Sequence, residues 1–404
     1  MSEVTLPGGS GLPSTITVPN EVGGTAQQAT SNINTILANG GVANTVVPGA
    51  TPPELAPGQQ GVIVANATVP GSIALAGGYL AAIVNGSSPV TVLGGSSNGQ
   101  TIIGTEGPLT VNTGTGSSTV TGGTGDNLIG TAATGGTTAV MATGSGNDTI
   151  VAASGNSTVT AGTGKNLIGL GNGNNTVYSQ GNDTVQAGSG SDTIGVQSGN
   201  VLVGGGSGKM TFVGGSGTQT VTGGTGSSTI FGGTGSGLFA GGSGGNNIIV
   251  ASDGASTIFG GGGNSQLFAA GSGADLLVAG TGNQTLSGGS STGNNTFIAG
   301  AGSNLIGGGV GNDTIFGGTG TATVFGGGGN DVFAFSNGRG GPSANVTIAD
   351  FTVGTDRVAL VGFGTDVSSV LATASTTGGS TSFVLGDGTR VTLTGIGSTN
   401  GIFG

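Results

Sequence analysis

The sequence predicts an all-β protein built as a parallel β-solenoid, and three observations carry that expectation. The first is a nine-residue period. An apolar residue returns at Ile150, Val159, Ile168, Val177, Val185, Ile194, Val203, Phe212, Val221, Ile230, Phe239, Ile249, Ile258, Phe268, Leu277, Leu286, Phe297, Ile306, Ile315, Val324 and Phe333. A period kept over so many copies marks a stack of like units, none of which can bury its apolar face alone. The second is the motif around that residue, clearest at Gly309-Val310-Gly311-Asn312-Asp313-Thr314-Ile315. Gly-x-Gly suits a tight turn, and Thr-apolar-x is a strand of about three residues with Thr facing out. The third is composition. Gly makes up 97 of 404 residues but Pro only 11, with no Gly-X-Y triplet, so collagen is excluded. Regularly spaced Val, Ile, Leu and Phe also set the chain apart from a disordered one.

The elements follow in order. Residues 1–24 are polar, with Pro and Gly, and read as an extended arm. Between Thr25 and Asn39, residues Ala26, Ala29, Ile33 and Ile36 or Leu37 share one helical face, and Gly40-Gly41 supplies a stop. This predicts a helix packed on the first coils. Pro48, Pro52, Pro53 and Pro57 mark a loop. Short β-type runs then follow at a spacing looser than nine, so residues 25–112 are expected to be a β-rich region with one helix. The repeat occupies 113–335. Stacked about 4.8 Å apart, its strands form parallel sheets, two units making one coil, with three-unit coils as the alternative. Residues 336–404 form a closing β cap.

Composition bounds the function. There is no Cys and no His, which removes disulfides, thiolate metal sites and the commonest general base. Net charge is −11 with five basic residues, too few for a phosphate backbone, so no nucleic-acid partner is expected. No apolar run reaches the roughly 18 residues of a transmembrane helix. The start, Met1-Ser2-Glu3-Val4-Thr5-Leu6-Pro7, lacks the basic and apolar regions of a signal peptide. Any export address is therefore expected at the C-terminus.

Three segments carry a family resemblance: 144–150 (Gly-Ser-Gly-Asn-Asp-Thr-Ile), 309–315, and 327–333 (Gly-Gly-Gly-Asn-Asp-Val-Phe). They resemble the calcium-binding nonapeptide of the repeats-in-toxin (RTX) family, Gly-Gly-x-Gly-x-Asp-x-apolar-x. Val346-Thr347-Ile348-Ala349-Asp350-Phe351, continuing to Asp356-Arg357-Val358-Ala359-Leu360, is similar to the segment that follows such repeats in proteins exported by type I secretion. Gly386–Ile396 reads as a closing hairpin of the same region. The resemblance implies a right-handed parallel β-roll, Ca²⁺ held in the turns by Asp carboxylates and backbone carbonyls, and an uncleaved C-terminal export signal.

The Asp position is diluted. It is Asp at 148, 183, 192, 275, 313 and 331, Asn at 127, 166, 175, 247, 295 and 304, and Ser, Gln or apolar elsewhere. In the family's roll, residues two repeats apart meet. Asp313 with Asp331 is then the one full pair, with Gly311 and Gly329 contributing through the backbone. Weaker mixed sites follow at Asp148, Asn166, Asp183, Asn175, Asp192, Asp275 and Asn295. The opposing reading is that Asn, Ser and Thr ladders hold the turns with little metal. Asp350 and Asp356 are expected to cap the roll, with Arg357 as ion-pair partner.

No catalytic constellation is present, so an enzyme is not expected. The sequence predicts a secreted structural protein that assembles with itself, as sheet or filament, at a cell surface or in a matrix. The type I secretion machinery is its partner in transit, and cell-surface polysaccharide is a further partner. The alternative is an adhesin or binding rod for glycan or ice, using a flat Thr face such as Thr211, Thr220 and Thr229.

Overall fold

A computed structural model describes residues 2–6, 14–18, 24–95, 99–132, 138–289, 291–364 and 367–403, without the side chains of residues 2, 6, 14, 17 and 18. The chain forms two units, Met1–Val203 and Gly204–Gly404. Each is a parallel β-solenoid whose chain alternates between two sheets.

In the first unit, one sheet runs from Val42–Val46 and Gly61–Asn66 through Thr158–Ala161 and Thr176–Ser179 to Ser191–Val196. The other runs from Gly71–Ala74 through Thr149–Ala152 and Leu167–Leu170 to Thr184–Gln186. Partners such as Ile150↔Ile168 and Val159↔Val177 lie two repeats apart, so a coil is two units and not three. The parallel ladder takes in the looser runs between 42 and 112, so no break in topology falls at residue 113.

The N-terminal segment is not a free arm. Ser2–Leu6 pairs antiparallel with Ser14–Val18, and Val4 is fully buried. It packs in a cluster with Ala26, Ala29, Ile33 and Ile36 of the helix Thr25–Ala38 and with Val62, Val64, Ile83 and Ile103. Those last four residues alternate with core residues such as Ile63 and Ile102, so they point outward from the sheet. The helix exists because this part of the outer face is apolar and must be covered. It ends where the Gly41 N–H donates to the Ile36 carbonyl, with Gly40 in the left-handed region at φ 85°.

In the second unit, one sheet runs from Lys209–Val213 and Ser228–Phe231 to Asn345–Ile348 and Arg390–Leu393, and the other from Gln219–Thr222 to Val332–Ser336 and Arg357–Val361. The periodic apolar residues form both cores, with Phe212, Phe239, Phe297 and Phe333 fully enclosed. Each such side chain contributes about 1.5–3 kcal/mol by burial. One position departs from the expected series. Leu267, not Phe268, points inward, because Ile249↔Leu267↔Leu286 is the paired column. Phe268 therefore faces outward. The Thr face also differs from expectation. Successive repeats alternate sheets, so Thr211 and Thr229 are neighbours while Thr220 lies on the other sheet. The row from Thr229 continues into Ile248 and Gln266, so it is not a flat Thr surface.

The cap stops the stack. Phe351 packs on Phe333, ring centroids 5.8 Å apart. Arg390–Leu393 pairs parallel with Asn345–Ile348 but antiparallel with Ser380–Val384, so the closing hairpin begins before the expected 386–396, which holds only its second strand.

Candidate metal centres in the turns

The turns are built on two hydrogen-bond ladders of opposite direction. In the buried ladder, Asp and Asn side chains accept the backbone N–H of the equivalent residue one coil earlier, although Asn304 Oδ1 is left without a partner. Asp331 Oδ1 accepts from Asp313 at 2.8 Å, Asp313 Oδ1 from Asn295 at 2.7 Å, and Asn295 Oδ1 from Asp275 at 3.0 Å. In the first unit, Asp183 Oδ1 accepts from Asn166 at 3.0 Å and Asn166 Oδ1 from Asp148 at 2.9 Å. On the other edge, Asp192 Oδ1 accepts from Asn175 at 3.1 Å. Every expected neighbour pair is thus brought together. An unexpected one joins them: Asn127 donates to Asp148 Oδ1 at 2.8 Å across 21 residues, a spacing the nine-residue count does not reach.

The second ladder uses the residue just before. Asn330 N–H donates to Asn312 Oδ1 at 2.7 Å, and Asn312 N–H to Asn294 Oδ1 at 2.8 Å. Sequence reasoning missed it. Its signal is the Asn-Asp or Asn-Asn dipeptide in so many copies, where the first residue is exposed and the second buried.

The second carboxylate oxygens separate the sites. Asp183 Oδ2 accepts from the Ser179 hydroxyl at 2.6 Å, Asp192 Oδ2 from Gly188 N–H at 3.0 Å, and Asp275 Oδ2 from Ala270 N–H at 3.2 Å. Asp313 Oδ2 and Asp331 Oδ2 are buried with no partner. Asp148 Oδ2 also lacks a well-formed bond, although the Thr143 hydroxyl lies beside it. Asp313 Oδ2 and the Gly326 carbonyl oxygen both face the spot where a side chain on Gly308 would project. Asp331 Oδ2 faces the equivalent spot on Gly326. The small cradle at Gly308, lined by an orphaned carboxylate oxygen and a carbonyl oxygen, fits a hard cation such as Ca²⁺, whereas the spot at Gly326 is bordered by Asp331 Oδ2 and the Phe333 ring. Among the described residues no three acidic groups converge on one point, so such a cation would draw mainly on backbone oxygens. Gly329 sits at φ 122° directly over the Gly311 carbonyl, where a methyl group would collide.

Burial pushes the carboxyls of Asp275, Asp313 and Asp331 up to about 6, with the Asp331 charge adding to Asp313, and those of Asp356 and Asp350 to Asp331. Burial also raises Asp148. These turns therefore bear an electrostatic cost that a bound cation would relieve.

The cap closes both lines of donors. Asp356 Oδ1 accepts the Asp331 N–H at 3.0 Å, and its Oδ2 the Thr352 N–H at 2.8 Å. Asp350 accepts from Gly326 and Gly327 at 2.8 and 2.9 Å. Both residues cap as expected, but the partners given by these bonds are backbone amides in place of Arg357.

A model of the RTX calcium-binding nonapeptide repeat (four copies) matches residues 143–177, 179–203, 213–244, 241–270, 269–292, 290–324 and 308–340. No match is found among curated proteins. Among solved structures, extracellular lipase LipA from Serratia marcescens is 17% identical over 40% of this chain and 39% of that chain, with a TM-score of 0.18. At that score the likeness carries no argument.

Proposed function

Because this chain is an RTX protein, through the calcium-binding nonapeptide repeats that span 143–340, we propose that it is a secreted structural protein. Calcium in its turns firms the solenoid, and the outer sheet faces associate with further copies of the chain to form a surface layer or fibre. The type I machinery exports it, guided by the C-terminal region, and it works outside the cell.

The observation that carries the assembly reading lies on the second unit. On the sheet from Gln219–Thr222 to Thr314–Phe316, the residues Phe259, Val278, Ile298 and Phe316 stand in register on the outward face. Phe259 is 42% exposed. None of the strands of this sheet from Gln219–Thr222 to Thr314–Phe316 contains a charged residue. A continuous apolar row on an uncharged face is a contact surface for a like face. A net charge of −11 would otherwise keep copies apart.

Sedimentation velocity in millimolar calcium tests this. Wild type is expected to associate with rising concentration, and the Phe259→Thr/Phe316→Thr double variant to stay monomeric with an unchanged far-UV spectrum. A wild type that remains monomeric, or a double variant that associates equally well, refutes the assembly reading.

A further inference from the structure

We propose that neutral amide side chains in the buried ladder stand in for calcium, so that the solenoid depends on metal only where a carboxylate oxygen lacks a donor. The inference rests on the calcium reading above and separates the turn at Asp313 and Asp331 from the amide-joined turns at Asp183 and Asp192.

The amide groups satisfy the oxygens that would otherwise face a cation. Asn175 Nδ2 donates to Asp192 Oδ1 at 2.9 Å and to the Gly173 carbonyl at 3.3 Å. Asn166 Nδ2 donates to Asp183 Oδ1 at 2.8 Å and to the Gly162 carbonyl at 3.2 Å. Asn127 Nδ2 does the same with Asp148 Oδ1 at 2.8 Å and the Gly125 carbonyl at 2.6 Å. In each case one NH₂ joins a carboxylate oxygen to a turn carbonyl, two oxygens of the kind that would hold a divalent cation. Two N–H donors satisfy two acceptors without introducing a buried charge.

The first coils of the second unit use the same device without a carboxylate. Gln219 Nε2 donates to the Gly215 carbonyl at 2.8 Å, and Asn247 Nδ2 to the Gly242 carbonyl at 3.2 Å. Of the carboxylates that meet these amides, Asp183 and Asp192 also have their second oxygens satisfied by the chain, whereas Asp148 Oδ2 does not. Only Asp313 is followed by another Asp on the next coil within the repeat, and there both second oxygens are orphaned. Asn-for-Asp replacement is thus a local substitution of the ligand by the protein's own donors.

Asn175→Asp tests this in the full-length protein. The change removes the NH₂ and sets a carboxylate against Asp192, reproducing the arrangement at Asp313 and Asp331. Calorimetric titration with CaCl₂ should show about one more equivalent bound per chain than wild type. The thermal midpoint in EDTA should fall by several degrees and recover with calcium. An unchanged stoichiometry and an unchanged midpoint in EDTA overturn the proposal while leaving wild-type calcium uptake intact. No uptake by either protein sinks the calcium reading and this inference with it. Should the variant not fold, hydrogen exchange on wild type decides. EDTA is expected to lower protection at 305–335 and leave 160–195 unchanged. Equal loss in both segments overturns the proposal.

Discussion

Replacing Asp313 by Asn probes the turn chemistry at a single atom. The amide keeps an oxygen for the Asn295 N–H and sets an NH₂ where Oδ2 now has no donor, facing the Gly326 carbonyl. Burial holds the Asp313 carboxyl at about 6 against an ordinary 3.8. Near pH 7.5 the group is ionised in both folded and unfolded chains, so the whole burden of the buried charge is present. That difference corresponds to at most about 3 kcal/mol, and to about 1–2 kcal/mol once screening by water at the turn is allowed for. In EDTA, Asp313→Asn is therefore expected to raise the thermal midpoint by about 2–8 °C. In millimolar calcium the order reverses, because wild type gains a ligand-linked increment that the variant has lost. Thermal unfolding followed by circular dichroism in the two buffers measures both effects. A variant less stable than wild type in EDTA, or one that keeps the full calcium-induced shift, refutes the reasoning.

Three further outcomes follow from the same geometry. Without calcium, acidification should stabilise the protein. The folded forms of Asp275, Asp313 and Asp331 titrate near 6 and the unfolded ones near 3.8, so the folded state binds more protons in that window and stability falls as pH rises through it. Midpoints measured from about pH 7 to pH 4.5 should climb in EDTA and climb less in calcium; a fall in EDTA contradicts the sign. Gly329→Ala puts a methyl group at φ 122° against the Gly311 carbonyl and should cost about 1–3 kcal/mol in urea unfolding, whereas a neutral outcome would mean the turn relaxes freely. Asp356→Ala leaves the Asp331 and Thr352 N–H groups without their acceptor. Each lost bond costs about 1–3 kcal/mol, so hydrogen exchange at the last coil should rise, and unchanged exchange there would show that the cap does not hold it.

Much of this was legible in the sequence because a solenoid repeats its instructions. Apolar residues nine apart fall alternately on two sheets, so the core columns of each unit, from Ile150 to Val203 and from Phe212 to Phe333, could be read directly. The one misplaced member, Phe268, shows the limit. Adjacent Leu267 and Phe268 are both apolar, and only pairing with Ile249 and Leu286 decides which points inward. The helix was legible from the spacing of Ala26, Ala29, Ile33 and Ile36, but not the outward apolar face at Val62, Val64, Ile83 and Ile103 that calls for it. In the turns, residues two repeats apart could be paired on paper. What could not be read is the state of each second carboxylate oxygen. Ser179, Gly188 and Ala270 reach those oxygens through local backbone geometry that no spacing rule encodes. Likewise the exposed Asn ladder repeats as plainly as the buried one, yet its direction emerges only from the coil.

The central claim is that calcium enters the turn where two carboxylates with orphaned oxygens follow one another on successive coils, and is excluded where an amide meets a carboxylate whose second oxygen has its own donor or where no carboxylate is present. Anomalous diffraction from crystals grown in calcium locates the ions directly. The account predicts peaks beside Asp313 and Asp331, and none beside Asn166, Asn175 or Asn247. Peaks between those asparagines, or none at Asp313 and Asp331, would contradict it.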